Sequence, residues 1–337
     1  MTQRDFTPEA LNATLEVAYK EGRQVSADMS YKSLIAVEET SSNAKKVVFY
    51  GDRISLKRLR GERKAQQEFE YSTNMQLDEW EASREYKNTD LDDDRSGFMT
   101  KKATTFGQVV ETSLESETYE SLRSGTSLKC FDGANLFDFS HAYVDTNGVT
   151  QNAGYAYANI NLGNLGVSTN TIKQLQFHFG NLKSDKNKPL GARLTDIVVR
   201  RGSDNAHAAK EIANSTLTVD NATNSRGVNT LSGSFNIIEV DYGLGVSEWI
   251  GLDLSSEDRP LTLLKHTKSP GPDNMMLEVL GEGSEQYYWN KKINFGVYGR
   301  FDWNMGDPRT CYLFGSSTFS ASVDDLEAQR VGDPNQS

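Results

Sequence analysis

The chain has 337 residues, with 36 Lys and Arg against 47 Asp and Glu, a formal net charge of −11 and an isoelectric point near 5.0. That length suits one elaborate domain or two to three smaller ones with a sizeable core, and 10% aromatic residues argue against wholesale disorder. The acidic balance disfavours gripping nucleic acid, and two cysteines far apart, Cys130 and Cys311, form no disulfide framework and suit a reducing cytosol.

The N-terminus carries no apolar stretch of the secretory kind, and no run approaches the roughly 18–20 apolar residues of a membrane helix. Thr7 and Pro8 predict a helix start, Leu11, Leu15, Ala18 and Tyr19 recur at helical spacing, and Gly22 sits where a C′ glycine belongs. Between Lys45 and Lys64 eight basic residues face two acidic ones, net +6; between Asp78 and Asp94 eight acidic face two basic, net −6. Two extended arms of this length would reach roughly 60–80 Å, farther than a compact domain accommodates. The pattern therefore predicts a projecting, oppositely charged hairpin steadied by a neighbouring molecule, against the plainer reading of a solvated charged loop.

A helix is predicted over about 97–124, from Phe98, Phe106, Val109, Val110, Leu114 and Leu122, with Asp92 to Asp94 placed to favour its positive end. Residues 128–166 are turn-rich. A second helix is predicted at 170–183, a buried strand at Asp196 to Arg200 and a helix at Asn205 to Asn214, followed by a polar loop from Asn224 to Ser234. Strand-like runs follow at Ile237 to Tyr242, Trp249 to Leu254, Leu261 to His266, Gln286 to Trp289, Ile293 to Tyr298 and Cys311 to Phe314, before a polar tail.

Motifs that carry chemistry are absent from the sequence. There is no phosphate-binding loop, dinucleotide fingerprint, nucleophile elbow or paired-histidine metal motif. The run Asp90 to Asp94 begins like a calcium loop, but Arg95 stands where glycine is needed and Lys101 where the bidentate Glu belongs. His141, His178, His207 and His266 are expected to be structural or surface residues, and Cys130 and Cys311 small buried hydrophobes. No catalytic residue, cofactor or metal ligand is expected. Trp249, Tyr287, Tyr288, Trp289 and Trp303 could instead form a sugar platform, which keeps a β-rich carbohydrate-binding module or hydrolase as an alternative.

The segment Cys130-Phe131-Asp132-Gly133 through Leu136-Phe137-Asp138 to His141 resembles the corresponding stretch of the major head subunit of Mu-like tailed phages and prophages. Other pieces fall in the same order: Arg63-Lys64-Ala65-Gln66-Gln67, Lys188-Pro189-Leu190-Gly191, Thr195 to Val199, Trp249 to Asp253, Arg259-Pro260, Asn294 to Arg300 and Tyr312 to Ser316. The resemblance spans roughly residues 7–316. It departs at Arg200-Arg201, where the family commonly has prolines, and in the polar stretch 300–311.

The resemblance implies an α+β, Hong Kong 97-type capsid fold. Its parts would be an N-terminal arm at 1–40, an extended loop at 41–95, a spine helix and peripheral domain at 96–150 and 281–316, an axial domain at 151–280, and a polar tail at 317–337. The implied function is a non-enzymatic shell subunit, assembling with itself into hexamers and pentamers of an icosahedral head around double-stranded DNA. A separate scaffold, a portal and decoration proteins would be its partners, without a membrane, in the virion and assembled in the host cytoplasm. A same-fold encapsulin-type compartment is the near alternative. The charge blocks make Arg58, Arg60, Arg63 and Lys64, with Glu79, Glu81 and Glu85, the candidate contacts between subunits.

Overall fold

The computed structural model describes residues 8–25, 30–51, 70–87, 97–144, 150–151, 155–220, 225–280, 289 and 292–315. Among them lie helices α1 (Pro8–Val25), α2 (Phe98–Ser124), α3 (Thr169–Asn181) and α4 (Asp204–Asn214). The strands are β1 (Ile35–Thr40), β2 (Ala44–Tyr50), β3 (Glu70–Gln76), β4 (Asp78–Lys87), β5 (Tyr143–Val144), β6 (Thr150–Gln151), β7 (Ile160–Asn161) and β8 (Asp196–Arg200). They continue with β9 (Leu217–Asp220), β10 (Ser225–Val228), β11 (Asn236–Val240), β12 (Trp249–Leu252), β13 (Leu261–His266), β14 (Glu278–Leu280), β15 (Lys292–Met305) and β16 (Cys311–Phe314).

Helix α2 has 27 residues, about 40 Å at 1.5 Å per residue. Its interior is rich in Thr and Ser, which compete with helix formation. Here Thr104, Thr105, Thr112, Ser113 and Thr118 each donate their hydroxyl to the carbonyl four residues back, which satisfies them within the helix. Its buried stripe of Ala103, Phe106, Val110 and Leu114 shares a core with Leu15, Ala18 and Tyr19 of α1.

Helix α1 starts at Pro8 but runs through Gly22 to Val25, so Gly22 is not the C′ residue its position predicts. It serves the crossing of α1 over α2. A Cβ at Gly22 would lie 2.0 Å from the Thr104 carbonyl oxygen, and one at Gly107 would lie 2.2 Å from that of Tyr19. Alanine ordinarily gains about 1 kcal/mol over glycine inside a helix, yet contacts this short force the helices apart. Gly107→Ala is therefore expected to destabilise the fold by about 1–3 kcal/mol, read from urea unfolding. An unchanged or raised midpoint would contradict the tight crossing.

One sheet runs in the order β1-β13-β15-β14, with β4 on the other side of β15. β1 and β13 are parallel and the remaining pairs antiparallel. β15 alternates strictly: Ile293, Phe295, Val297, Phe301, Trp303 and Met305 are buried in the core that holds α1 and α2. The polarity of 300–311 follows from this, since Asp302 and Asn304 occupy the opposite, partly exposed face. β4 pairs with β15 over ten residues, from Asp78 opposite Phe301 to Lys87 opposite Lys292. Asp78–Lys87 is thus a strand of this sheet and not part of a projecting arm.

The second sheet runs β11-β8-β12-β16-β7. Its central strands are buried on both faces, as the apolar run at 197–199 predicts. Val198, Ile250, Leu252 and Leu313 join the first core; Ile197, Val199, Trp249 and Phe314 face a second core with α3 and α4. The Trp249 and Phe314 rings stack at 4.0 Å with planes 1° apart. Helix α3 starts with a capping box between Ser168 and Thr171.

Further expectations need correction, and others fall wholly or partly outside the described residues. Residues 225–228 of the predicted polar loop form β10, paired antiparallel with β9; a two-stranded ribbon can form from backbone pairing without the apolar alternation that marks buried strands. The predicted long hairpin survives as β2 and β3, joined in register from Ala44 opposite Gln76 to Tyr50 opposite Glu70. Its far part, 52–69, lies outside the described residues, as do Asp90 to Asp94, the tail 317–337 and most of the predicted strand at Gln286 to Trp289, where Trp289 is helical. Residues 261–266 pair with β15 and residues 311–314 with β12.

Candidate functional site

The base of the β2–β3 hairpin is fastened to the body by two buried polar contacts. Tyr71 of β3 is fully buried, and its hydroxyl donates to Asp185 Oδ2 at 2.9 Å. Burial first, and that carboxylate second, push the phenol above its ordinary range. Arg309 donates through Nε to Asp307 Oδ1 and Oδ2 at 2.8 and 2.9 Å, and its Nη2 also reaches Asp307 Oδ2. The same guanidinium donates to the carbonyls of Tyr50 at 3.1 Å and Gly51 at 3.3 Å, where the hairpin leaves the body. Burial alone would push Arg309 down; the Asp307 charge more than offsets it and holds the guanidinium above its usual range.

Aromatic rings surround this latch. Arg309 sits 5.9 Å from the Phe131 ring centre, and Phe131 stacks on Phe49 of β2 at 5.0 Å. Gly51 is required where it stands, because a Cβ there would lie 2.3 Å from Asp185 Oδ2 and 2.4 Å from the Tyr71 ring. Val47, Met75 and Leu77 form a small core with Leu264 of β13, with Phe49 packed against it.

Next to the hairpin, β4 divides its charge by face. Trp80, Ala82 and Tyr86 pack against the main core, while Glu79, Glu81 and Glu85 are exposed on the opposite face. The sequence-predicted acids therefore form one acidic strip. Glu79 lies opposite Arg300 and Glu81 opposite Tyr298 in the ladder. Glu85 pairs with Lys292 at 2.5 Å within the same chain. Burial pushes Asp302 of β15 up to about 6, and the like charges of Asp78 and Glu117 add to it. Lys87, Lys292 and Arg300 stand on the same face of the sheet as these acids. The predicted basic partners Arg58, Arg60, Arg63 and Lys64 lie outside the described residues.

The Trp249 platform does not form. Trp249 is fully buried against Phe314 and Trp303 is buried in the main core, so the exposed Trp289 is not joined by them. Of the histidines, His207 is exposed, and burial pushes His178 down to about 4. Both cysteines are buried and free.

Two constellations were invisible to sequence reading. One is the latch, whose only local signal is Asp307-Pro308-Arg309 within the polar stretch 300–311. The other joins Cys130, Asp132 and His141, whose ligand-type atoms all lie within 4.8 Å of one another. His141 is fully buried, with Nδ1 2.6 Å from Asp132 Oδ2 and Nε2 3.0 Å from Asn159 Oδ1.

Comparison with known proteins adds the following. A family model described as the Mu-like prophage major head subunit gpT matches residues 9–168, just under half of the chain. No curated protein matches it. The procapsid of bacteriophage JBD30 superposes with a TM-score of 0.50 at 16% identity, covering 96% of this chain and 80% of that one. The capsid of cyanophage P-SCSP1u gives 0.51 at 9% identity, with 85% and 88% covered. A structure of Mycobacterium phage Patience gives 0.50 at 12% identity, with 92% and 90% covered. At these identities the superpositions show the fold, which is the α+β, Hong Kong 97-type shell fold.

Proposed function

From the match of residues 9–168 to the Mu-like prophage major head subunit family, we propose that this chain is a member of that family and the major capsid protein of a tailed double-stranded DNA phage or prophage. The observation that carries this reading is the family match at 9–168 in a chain whose described residues have the shell-subunit fold. The work of such a protein is assembly, and the virion is its place of action. The extended segment crosses onto neighbouring copies, and obligate contacts of this kind bury roughly 2,000–5,000 Å² in total.

Within that assembly, the acidic strip of β4 meets the basic run of an adjacent copy. Exposed ion pairs are worth about 0–1 kcal/mol each, so charge sets the register of the loop while apolar burial holds it. Reversing Arg58 and Arg60 to Glu is expected to impair shell formation several-fold, with partial recovery when Glu79 and Glu81 are changed to Lys. Glu85 is the poorer choice, being paired with Lys292. Light scattering during assembly measures both; equal defects with and without the second pair of changes would refute the pairing.

The division into an N-terminal arm at 1–40, an extended loop at 41–95, a spine helix and peripheral domain at 96–150 and 281–316, an axial domain at 151–280 and a tail at 317–337 is part of this proposal. The net charge of −11 suits a wall that contains packed phosphate without binding it. A separate scaffold, a portal and decoration proteins complete the assembly in the host cytoplasm. Nuclease treatment of purified particles tests the reading: genome-length DNA should survive inside, whereas particles containing protein cargo and no protected DNA would indicate an encapsulin-type compartment.

A further inference from the structure

The residues Cys130, Asp132 and His141 lie in the motif that carries the family resemblance, yet shell assembly gives them no task. Their geometry is built by a tight turn. The Cys130 N–H donates to the Ala134 carbonyl at 2.9 Å, the Gly133 N–H to the Cys130 carbonyl at 3.1 Å, and Gly133 adopts φ +81. This brings Cys130 Sγ to 3.4 Å from Asp132 Oδ1. His141 is delivered to the same point by its backbone pairing with Tyr157.

Hydrogen-bond accounting then fixes the histidine. The Asn159 amide nitrogen donates to the carbonyls of Leu136 at 2.6 Å and Pro308 at 3.0 Å, so its oxygen is the atom facing His141 Nε2. That oxygen also accepts the Asp138 N–H at 2.8 Å. An amide oxygen cannot donate, so Nε2 carries the proton. In a neutral ring the Nδ1 lone pair then points at the Asp132 carboxylate from 2.6 Å. At that separation the two atoms share a proton; a zinc ion bound by both would hold them about 3.3 Å apart, so it takes the proton's place only as the Asp132 carboxylate swings back by about 0.7 Å.

We propose that Cys130 Sγ, Asp132 and His141 Nδ1 form a structural site for a divalent zinc ion. A thiolate with an imidazole selects zinc over the hard cations. The His141 Nε2–H bond to Asn159 is the outer contact that orients a metal-bound imidazole. The thiolate and the carboxylate balance the ion's charge, so the buried group is neutral, and the Ala134 carbonyl, 3.3 Å from Sγ, supplies oxygen on the remaining side. Binding releases two protons, one from the Cys130 thiol and one from between Nδ1 and Asp132. The ion would brace the 130–141 turn and, through the His141 bond to Asn159, its contact with Pro308.

The test is independent of shell formation. The purified full-length chain, stripped by chelator, is titrated with zinc and with cobalt. About one equivalent of zinc per chain should bind and raise the unfolding midpoint, and cobalt should give a sulfur-to-metal charge-transfer band. Cys130→Ser should abolish the band and His141→Ala should cut zinc retention at least about tenfold; the unmodified chain decides if either variant misfolds. Binding below about a tenth of an equivalent, no band and no change in midpoint would overturn the site and leave a proton bridging His141 and Asp132. Zinc retained equally by the Cys130→Ser chain would overturn it as well.

Discussion

Replacing residues 52–68 by Asn-Gly is expected to leave a chain that folds as a monomer and builds no closed shells. The cut respects the structure on both sides. Tyr50 and Glu70 remain the last ladder pair, Gly51 stays beneath Arg309, and the new connection is a four-residue hairpin loop, a common length. Wholesale removal of Lys45 to Asp94 would ask a different question, because it strips β4 from ten residues of β15. It would also remove Trp80, whose indole N–H donates to the Phe301 carbonyl at 2.8 Å and whose ring meets Trp303 edge-on at 5.2 Å. That larger deletion is expected to unfold the sheet. Closed shells from the short replacement, seen by electron microscopy, would show that the segment is not what joins subunits.

Arg309→Ala is expected to cost about 3–5 kcal/mol, the loss that follows when one partner of a buried ion pair is removed. Asp307, 1% exposed, would keep a carboxylate with no cation to balance it. Out of a typical total of about 5–15 kcal/mol this is a large share. The carbonyls of Tyr50 and Gly51 lose their donor at the same time, so the hairpin base is released as well. The double change Arg309→Met with Asp307→Asn separates the two effects: it removes the stranded charge and should recover most of the stability without restoring the latch. Urea unfolding measures the first effect and shell yield the second. A loss below about 1 kcal/mol for Arg309→Ala would mean that Asp307 is not stranded.

Elements with a continuous buried stripe, or buried on both faces, could be read from their own residues. Helix α2 announces itself through Phe106, Val110 and Leu114, and β8 through Ile197 to Val199, since each needs no knowledge of its partner. Features defined by distant partners could not. Gly22 has the local look of a helix end, and only the Thr104 carbonyl against it reveals a crossing point. In β4 the alternation of Trp80, Ala82 and Tyr86 with Glu79, Glu81 and Glu85 was present, but the density of charge masked a strand that is half core. The Arg309 latch joins residues 258 and 259 positions apart, and no spacing rule reaches that far. Cys130, Asp132 and His141 marked a family while their chemistry stayed hidden, because neither the turn at Gly133 nor the fixed amide of Asn159 has a signature in spacing.

The acidic strip itself was legible, and its meaning was sharpened by packing. Glu79 and Glu81 remain on the exposed face of a strand anchored by Trp80, so they are presented rigidly and not on a loose arm. A fixed row of like charge loses repulsion when a cationic segment docks, and the proposed contact with a second copy rests on that.

The central claim is that this chain is the repeating subunit of a closed shell. Electron microscopy of the full-length chain, expressed alone and together with its accompanying head proteins, tests it most directly. The account requires closed particles built of pentamers and hexamers in at least the second sample; a soluble monomer in both, with no particles at any concentration, would contradict it.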